Sequence, residues 1–198
     1  STGLKVASSL DDASAFAVAQ GIRAEVRALD SVIQGLNNSK AVGKVAVAGA
    51  TAVSNLMIDI RQKLTELANS SISASQRTII QRDFTELVSQ AANFVSNATY
   101  NGFALLTSGA ATVNTLANLA GGQLSLTAQG NVKLFINSLA GATTTTAVNA
   151  QSVIVGQFND LETSVAQALG TLGAEVRALD LQTGFLEELR DTTTVGLG

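Results

Sequence analysis

The fold is decided by the stretch Ile22-Arg23-Ala24-Glu25-Val26-Arg27-Ala28-Leu29-Asp30-Ser31-Val32-Ile33-Gln34-Gly35-Leu36. Ile22, Val26, Leu29, Ile33 and Leu36 recur at steps of 4, 3, 4 and 3, and most residues between them are charged, polar or small. A side chain returns to the same face of an α-helix every three or four residues. This spacing therefore predicts a helix with one apolar seam, of the kind that packs along another helix.

Toward the amino terminus, Asp11 and Asp12 mark the expected start of this helix, because either carboxylate can cap its free amide groups. In the other direction the pattern weakens over residues 37–44. It resumes as Ala46, Gly49, Val53, Leu56, Ile60, Leu64 and Leu67, so the seam shifts register and the helix bends or changes partner there. Gly21, Gly35, Gly43 and Gly49 each cost a helix interior about 1 kcal/mol relative to Ala. Their expected role is to admit a second helix closely; the alternative is a break into two helices.

A polar turn at 69–75 leads to a second helix over 75–98, capped by Ser75, with Ile80, Phe84, Leu87, Ala91, Phe94 and Ala98 on its seam. Tyr100-Asn101-Gly102-Phe103 ends the helical pattern, since both Asn and Gly tolerate positive φ in a tight turn. Short apolar runs follow at 103–106, 124–128 and 132–136, and residues 123–127 alternate with period 2. One or two small hairpins are expected across 103–136, then an exposed loop at the four threonines 143–146. The last helix should cover 149–192, with Phe158, Leu161, Val165, Ala168, Leu172, Val176, Leu179, Thr183 and Leu186 as its seam. At 1.5 Å per residue it would be roughly 65 Å long. The expected fold is mainly α: an elongated antiparallel bundle of long helices with a small β-hairpin region at one end. It forms a single core domain, 1–198, made of amino-terminal helices (1–98), a small β/loop region (99–147) and a carboxy-terminal long helix (148–198).

Composition narrows the chemistry. His, Cys, Trp and Pro are all absent. Without imidazole or thiolate ligands, zinc, copper, haem and iron–sulfur sites lack their usual donors, and a triad of the usual kind lacks its base. No catalytic, cofactor-binding or metal residues are assigned. Asp11-Asp12 reads as a cap, and Glu187-Glu188 and Asp160 with Glu162 as solvated faces rather than an acid–base pair. Gly121-Gly122 and Gly141 lack the spacing and the Lys of a phosphate loop. The Asn-x-Ser/Thr triplets at Asn37, Asn69 and Asn97 are weak glycan signals. A net charge of −3 without a Lys/Arg cluster argues against nucleic acid. Asp59, Arg61 and Lys63 interrupt the most apolar region, so no membrane span is expected. Residues 1–10 lack the basic start and apolar block of a signal peptide.

Ala-Glu-Val-Arg-Ala-Leu-Asp occurs at 24–30 and again at 174–180. Shared heptad constraint accounts for the repeat better than matched roles on facing helices, because the flanking residues differ.

Three stretches together resemble the bacterial flagellins. Ser1-Thr2-Gly3-Leu4-Lys5-Val6 followed by Ser9-Leu10-Asp11-Asp12-Ala13 is similar to that family's S-[ST]-G-L-[KR]-[IV]…S-x-x-D-D-A-A. The run from Val95 through Tyr100-Asn101-Gly102-Phe103-Ala104-Leu105-Leu106 resembles its [FY]-N-G-x-x-L-L. Leu172-Gly173-Ala174, Leu179, Phe185, Leu189, Asp191 and Val195-Gly196-Leu197-Gly198 resemble the stretch before its carboxy-terminal segment. The resemblance implies a structural, non-enzymatic subunit of an extracellular filament. It implies a homopolymer with other flagellin subunits, delivered by the flagellar export apparatus and a chaperone without a cleavable signal peptide. It also implies that the polymerising terminal segments lie outside this span, that the variable middle is minimal, and that surface Ser and Thr can carry glycan. Gln62-Lys63-Leu64-Thr65-Glu66-Leu67 aligns with a Q-R-V-R-E-L stretch that contacts an innate immune receptor in some flagellins, and Thr65 departs from its Arg. Gln62, Lys63 and Glu66 are the candidate subunit contacts. The alternatives are a hook–filament junction protein, which shares the terminal motifs, and a surface-displayed homologue that binds polysaccharide.

Overall fold

The structure is a computed structural model that describes the backbone of residues 2–197 and the side chains of 12–197. The side chains of the opening motif, Asp11 among them, and Gly198 lie outside the described residues. The elements run α1 (Thr2–Leu67), α2 (Ala74–Asn97), β1 (Thr99–Tyr100), β2 (Phe103–Ala104), β3 (Val113–Leu116), β4 (Gln123–Leu126), α3 (Asn131–Ala140), α4 (Ala147–Val153), a π-helical turn (Ile154–Phe158) and α5 (Asn159–Val195). Two compact units are present. The first comprises Ser1–Asn38, Asn114–Leu124 and Ala178–Gly198; the second comprises Ser39–Val113 and Ser125–Arg177.

Helix α1 does not begin at Asp11 and Asp12: it is already helical from Thr2, and Asp12 sits exposed in its interior. Leu4 to Leu10 contains no Pro or Gly to stop the helix. It also stays unbroken through 37–44. The buried positions pass through Leu36, Ser39, Val42 and Ala46, so the seam rotates around an intact helix. Beyond that point Met57, not Leu56, joins Val53, Ile60, Leu64 and Leu67 in the core. By length and composition alone Asp12–Leu67 could cross a membrane, its most apolar window having a mean hydropathy of 1.5. The complete burial of Ala46, Ala50 and Val53 within the protein accounts for part of that apolarity.

In the first unit, Leu29, Val32, Ile33 and Leu36 of α1 are buried, as are Leu179, Thr183 and Leu186 of α5. Arg190 donates to Asp30 at 3.2 Å, and the Ile22 side chain lies beside Gly196, so the two helices run antiparallel here. Asp30, and after it Asp191, raises the pKa of Arg190 above its ordinary value. Thr183, the polar residue on the seam, donates to the Leu179 carbonyl at 2.7 Å and so buries no unpaired hydroxyl. The loop after β3 is closed by Ala117 N–H to Gly122 O at 2.7 Å, and Gln182 Nε2 donates to Ala117 O at 2.6 Å.

In the second unit, α1 meets α5 and α2 at glycines. A Cβ on Gly43 would lie 2.5 Å from Val176 Cγ2, and one on Gly49 would lie 2.6 Å from Ala98 Cβ. Close approach therefore explains Gly43 and Gly49, whereas nothing lies within 4 Å of a Cβ on Gly21 and only the Thr115 methyl, at 4.0 Å, near one on Gly35. Helix α2 is capped by Ser73, not Ser75: Ser73 Oγ accepts from Gln76 N–H at 3.1 Å and Gln76 Oε1 accepts from Ser73 N–H at 2.8 Å. Its seam is Phe84, Val88, Ala91 and Val95, with Leu87 and Phe94 only half-buried. Arg77 ends α1 by donating to the carbonyls of Leu67 (2.7 Å), Asn69 (3.0 Å) and Thr144 (3.5 Å).

Asn101 and Gly102, at φ 52° and 81°, join β1 to β2 with Tyr100 opposite Phe103. Strands β3 and β4 form the second hairpin. The run 132–136, expected within the hairpin region, belongs instead to α3, which buries Val132, Ile136 and Leu139 on one face at helical spacing. The threonine run is not a plain exposed loop: Thr144 is buried and Thr146 caps α4, its hydroxyl accepting from Asn149 N–H at 3.1 Å. The carboxy-terminal helical stretch begins at Ala147 and ends at Val195, slightly outside 149–192 at both ends. Its buried residues Val153 and Phe158 are five positions apart, one more than a seam allows, and the π turn between them absorbs the extra residue.

Candidate subunit-contact surface

Gln62, Lys63 and Glu66 lie near the carboxy-terminal end of α1, interspersed with the buried Ile60, Leu64 and Leu67 of the same turns. The fold brings all three together. Gln62 Nε2 donates to Glu66 Oε1 at 3.3 Å, and Lys63 Nζ lies 3.8 Å from Glu66 and 3.4 Å from Asp83 of α2. Thr65 is exposed and donates its hydroxyl to the Arg61 carbonyl at 2.8 Å. Lys63 is thus shared between two carboxylates, and all three side chains are partly exposed, where ion pairs contribute little. They form a polar rim.

The apolar surface beside that rim was not evident from the sequence. Glu66 borders an open depression of about 340 Å³ formed with Asn69, Ile72, Gln76, Ile79 and Ile80, and Ile79 is 58% exposed. A second groove, of about 360 Å³, runs between α1 and α5 past Met57, Ile58, Phe158, Val165 and Leu169. Arg61 stands 6.0 Å over the Phe158 ring and 3.8 Å from Glu162, and Ile58 is 72% exposed. Ile58 sits one position off the buried Met57, a place that becomes clear only once Met57 rather than Leu56 is seen to join the core. Of the carboxylates weighed earlier, Asp160, Glu187 and Glu188 are exposed and Glu162 pairs with Arg61. The described residues thus set apolar grooves beside a polar, partly ion-paired rim.

A family profile described as the bacterial flagellin N-terminal helical region matches residues 1–112, more than half of the chain. Flagellin FljO of Caulobacter vibrioides is 24% identical over 200 residues, covering 100% of this chain and 72% of its own length. Flagellin FlaB1 of Treponema pallidum is 26% identical over 202 residues, covering 100% of this chain and 70% of its own. Among solved structures, a flagellin from Bacillus cereus matches with a TM-score of 0.69 at 15% identity, over 77% of this chain and 88% of that one. A putative flagellar hook-associated protein from Vibrio parahaemolyticus matches with a TM-score of 0.73, also at 15% identity, over 91% and 94%. At such identities these two structures establish the fold alone. The profile match, together with relatives that align along the whole chain, places the protein: it belongs to the bacterial flagellins, the structural subunits of the flagellar filament.

Proposed function

We propose that residues 1–198 act as one core domain whose exposed helical faces pack against copies of itself in the filament wall, with Gln62, Lys63 and Glu66 on the rim of a contact. The observation that carries this reading is the pairing of flagellin kinship with exposed apolar side chains on the long helices, Ile58 and Ile79 beside that rim among them. Apolar area removed from water supplies roughly 25 cal/mol per Å², and each subunit repeats the same contact, so modest faces suffice for a polymer. The mechanism needs no catalytic group. On this reading the subunit reaches the outside through the flagellar export apparatus with a chaperone, and its exposed Ser and Thr offer positions for glycan.

The junction-protein reading is less favoured, because relatives covering the whole chain are flagellins and the hook-associated match speaks to fold only. The polysaccharide-binding reading draws less support: of the two grooves beside the rim, one carries a single aromatic ring, Phe158, and the other none. The test is complementation. Expressed as the cell makes it in a bacterium lacking its own flagellins, the polypeptide should restore extracellular filaments carrying its epitope. Bare hooks, with the protein retained inside the cell, would refute the reading.

A further inference from the structure

The first unit carries a hole and a knob. The hole is a cavity of about 330 Å³ with Ala28, Ser31, Val32 and Gly35 of α1 as its floor and Leu116 and Leu119 of the β3–β4 hairpin as its wall. Its floor is made of small side chains, and its walls are apolar yet open to water: Leu116 is 44% and Leu119 47% exposed. The knob is on α5. Leu181 and Phe185 are one turn apart, 69% and 58% exposed, on a face that points away from the seam of Leu179, Thr183 and Leu186. Each feature groups apolar surface in water beside charged residues, the combination that marks an interaction site.

The charges beside them are opposite. Arg27 lies one turn before Ser31, at the edge of the hole, and is exposed without an acidic partner among the described residues. Glu188 lies one turn after Phe185 and is likewise exposed without a basic partner among them. An aromatic ring entering the hole would thus bring a carboxylate toward a guanidinium.

We propose that Phe185 and Leu181 of one copy insert into the cavity beneath Leu116 and Leu119 of a second copy, with Glu188 facing Arg27. Hole and knob are different patches of one molecule, so the contact is head-to-tail. Such a contact leaves a free hole and a free knob at every step and extends into an open helical array. The inference rests on the reading of the chain as a self-assembling filament subunit, and names the surfaces that meet.

The chain has no Cys, so a cross-link between two single-cysteine proteins reports contact between copies. Phe185→Cys and Leu119→Cys proteins, mixed, assembled and treated with a short bismaleimide, should yield a heterodimer at least about tenfold above a Phe185→Cys and Val148→Cys control, and only in the assembled state. Phe185→Ala should raise the concentration needed for assembly about tenfold, as truncation of a central anchor does, with an unchanged helical circular dichroism spectrum. Arg27→Glu should weaken assembly, and Glu188→Arg on the same chain should restore it. Assembly with no excess cross-link over the control, or with Phe185→Cys linking mainly to itself, overturns this contact while leaving the filament reading intact. A Phe185→Cys thiol that a small maleimide cannot reach in the dispersed protein would show that the chain covers its own knob, and also overturns it. Failure of the unmodified protein to assemble at all would remove the filament reading and this contact with it.

Discussion

Gly43 of α1 sits so close to Val176 of α5 that a Cβ on it would lie 2.5 Å from Val176 Cγ2, well inside contact distance, and 3.0 Å from Leu126 Cδ2. The helix carries the cost of a mid-helix glycine in exchange for that approach. Gly43→Ala should therefore destabilise the protein by about 1–3 kcal/mol through overpacking, and Gly49→Ala, facing Ala98, by a similar amount. Gly21→Ala should do the reverse. Its Cβ meets nothing within 4 Å, so the better helix former should add about 0.5–1 kcal/mol. Urea melts of the three variants would decide the matter.

Arg77 joins the end of α1, the turn after it and the threonine run through three carbonyls. Arg77→Met keeps most of the aliphatic stem and leaves those carbonyls without their donor, at about 1–3 kcal/mol. Lys, with one compact ammonium in place of a planar fork, should recover less than half of that. Hydrogen exchange should show faster opening confined at first to residues 64–73, and uniform exchange with unchanged stability would contradict the assignment.

Deleting Gly156 should convert the π turn into ordinary α-helix. The step from Val153 to Phe158 would fall from five residues to four, and both buried positions would keep their places. The deletion is expected to be tolerated within about 1 kcal/mol. Adding an Ala after Gly156 lengthens the step to six and should cost about 3 kcal/mol or more by turning Phe158 out of the core. Equal losses from both variants would mean that the π turn serves something other than register.

Lys63→Met should change stability by no more than about 1 kcal/mol, since the pairs with Glu66 and Asp83 are partly exposed. If the rim lies at a subunit contact, the same variant should alter the salt dependence of assembly more than it alters the melt. A double-mutant cycle with Asp83→Asn gives the coupling energy directly.

Much of the fold was legible because heptad spacing is a property of single residues and their neighbours. Of the last helix's expected seam, Phe158, Leu161, Val165, Ala168, Leu172, Leu179, Thr183 and Leu186 are buried, and Val176 is only half-buried. The failures have separate causes. Both Ser73 and Ser75 can cap, and what selects Ser73 is Gln76 three residues after it, which completes the reciprocal bond. Residues 132–136 looked like a strand because five apolar-rich residues fit either period, and the helix is decided by what α3 packs on. The π turn hid behind a seam that seemed to begin at Phe158. The proposed contact surface was the least legible part. Gln62, Lys63 and Glu66 were visible as exposed polar residues, but Ile58, Leu181 and Phe185 become conspicuous only once the core has closed without them.

Electron microscopy of the purified polypeptide, as the cell makes it, after salt-induced assembly tests the central claim most directly. The account predicts long helical filaments whose reconstructed wall contains the helices of residues 1–198. A protein that stays monomeric, or that only caps filaments built from another flagellin, would contradict it.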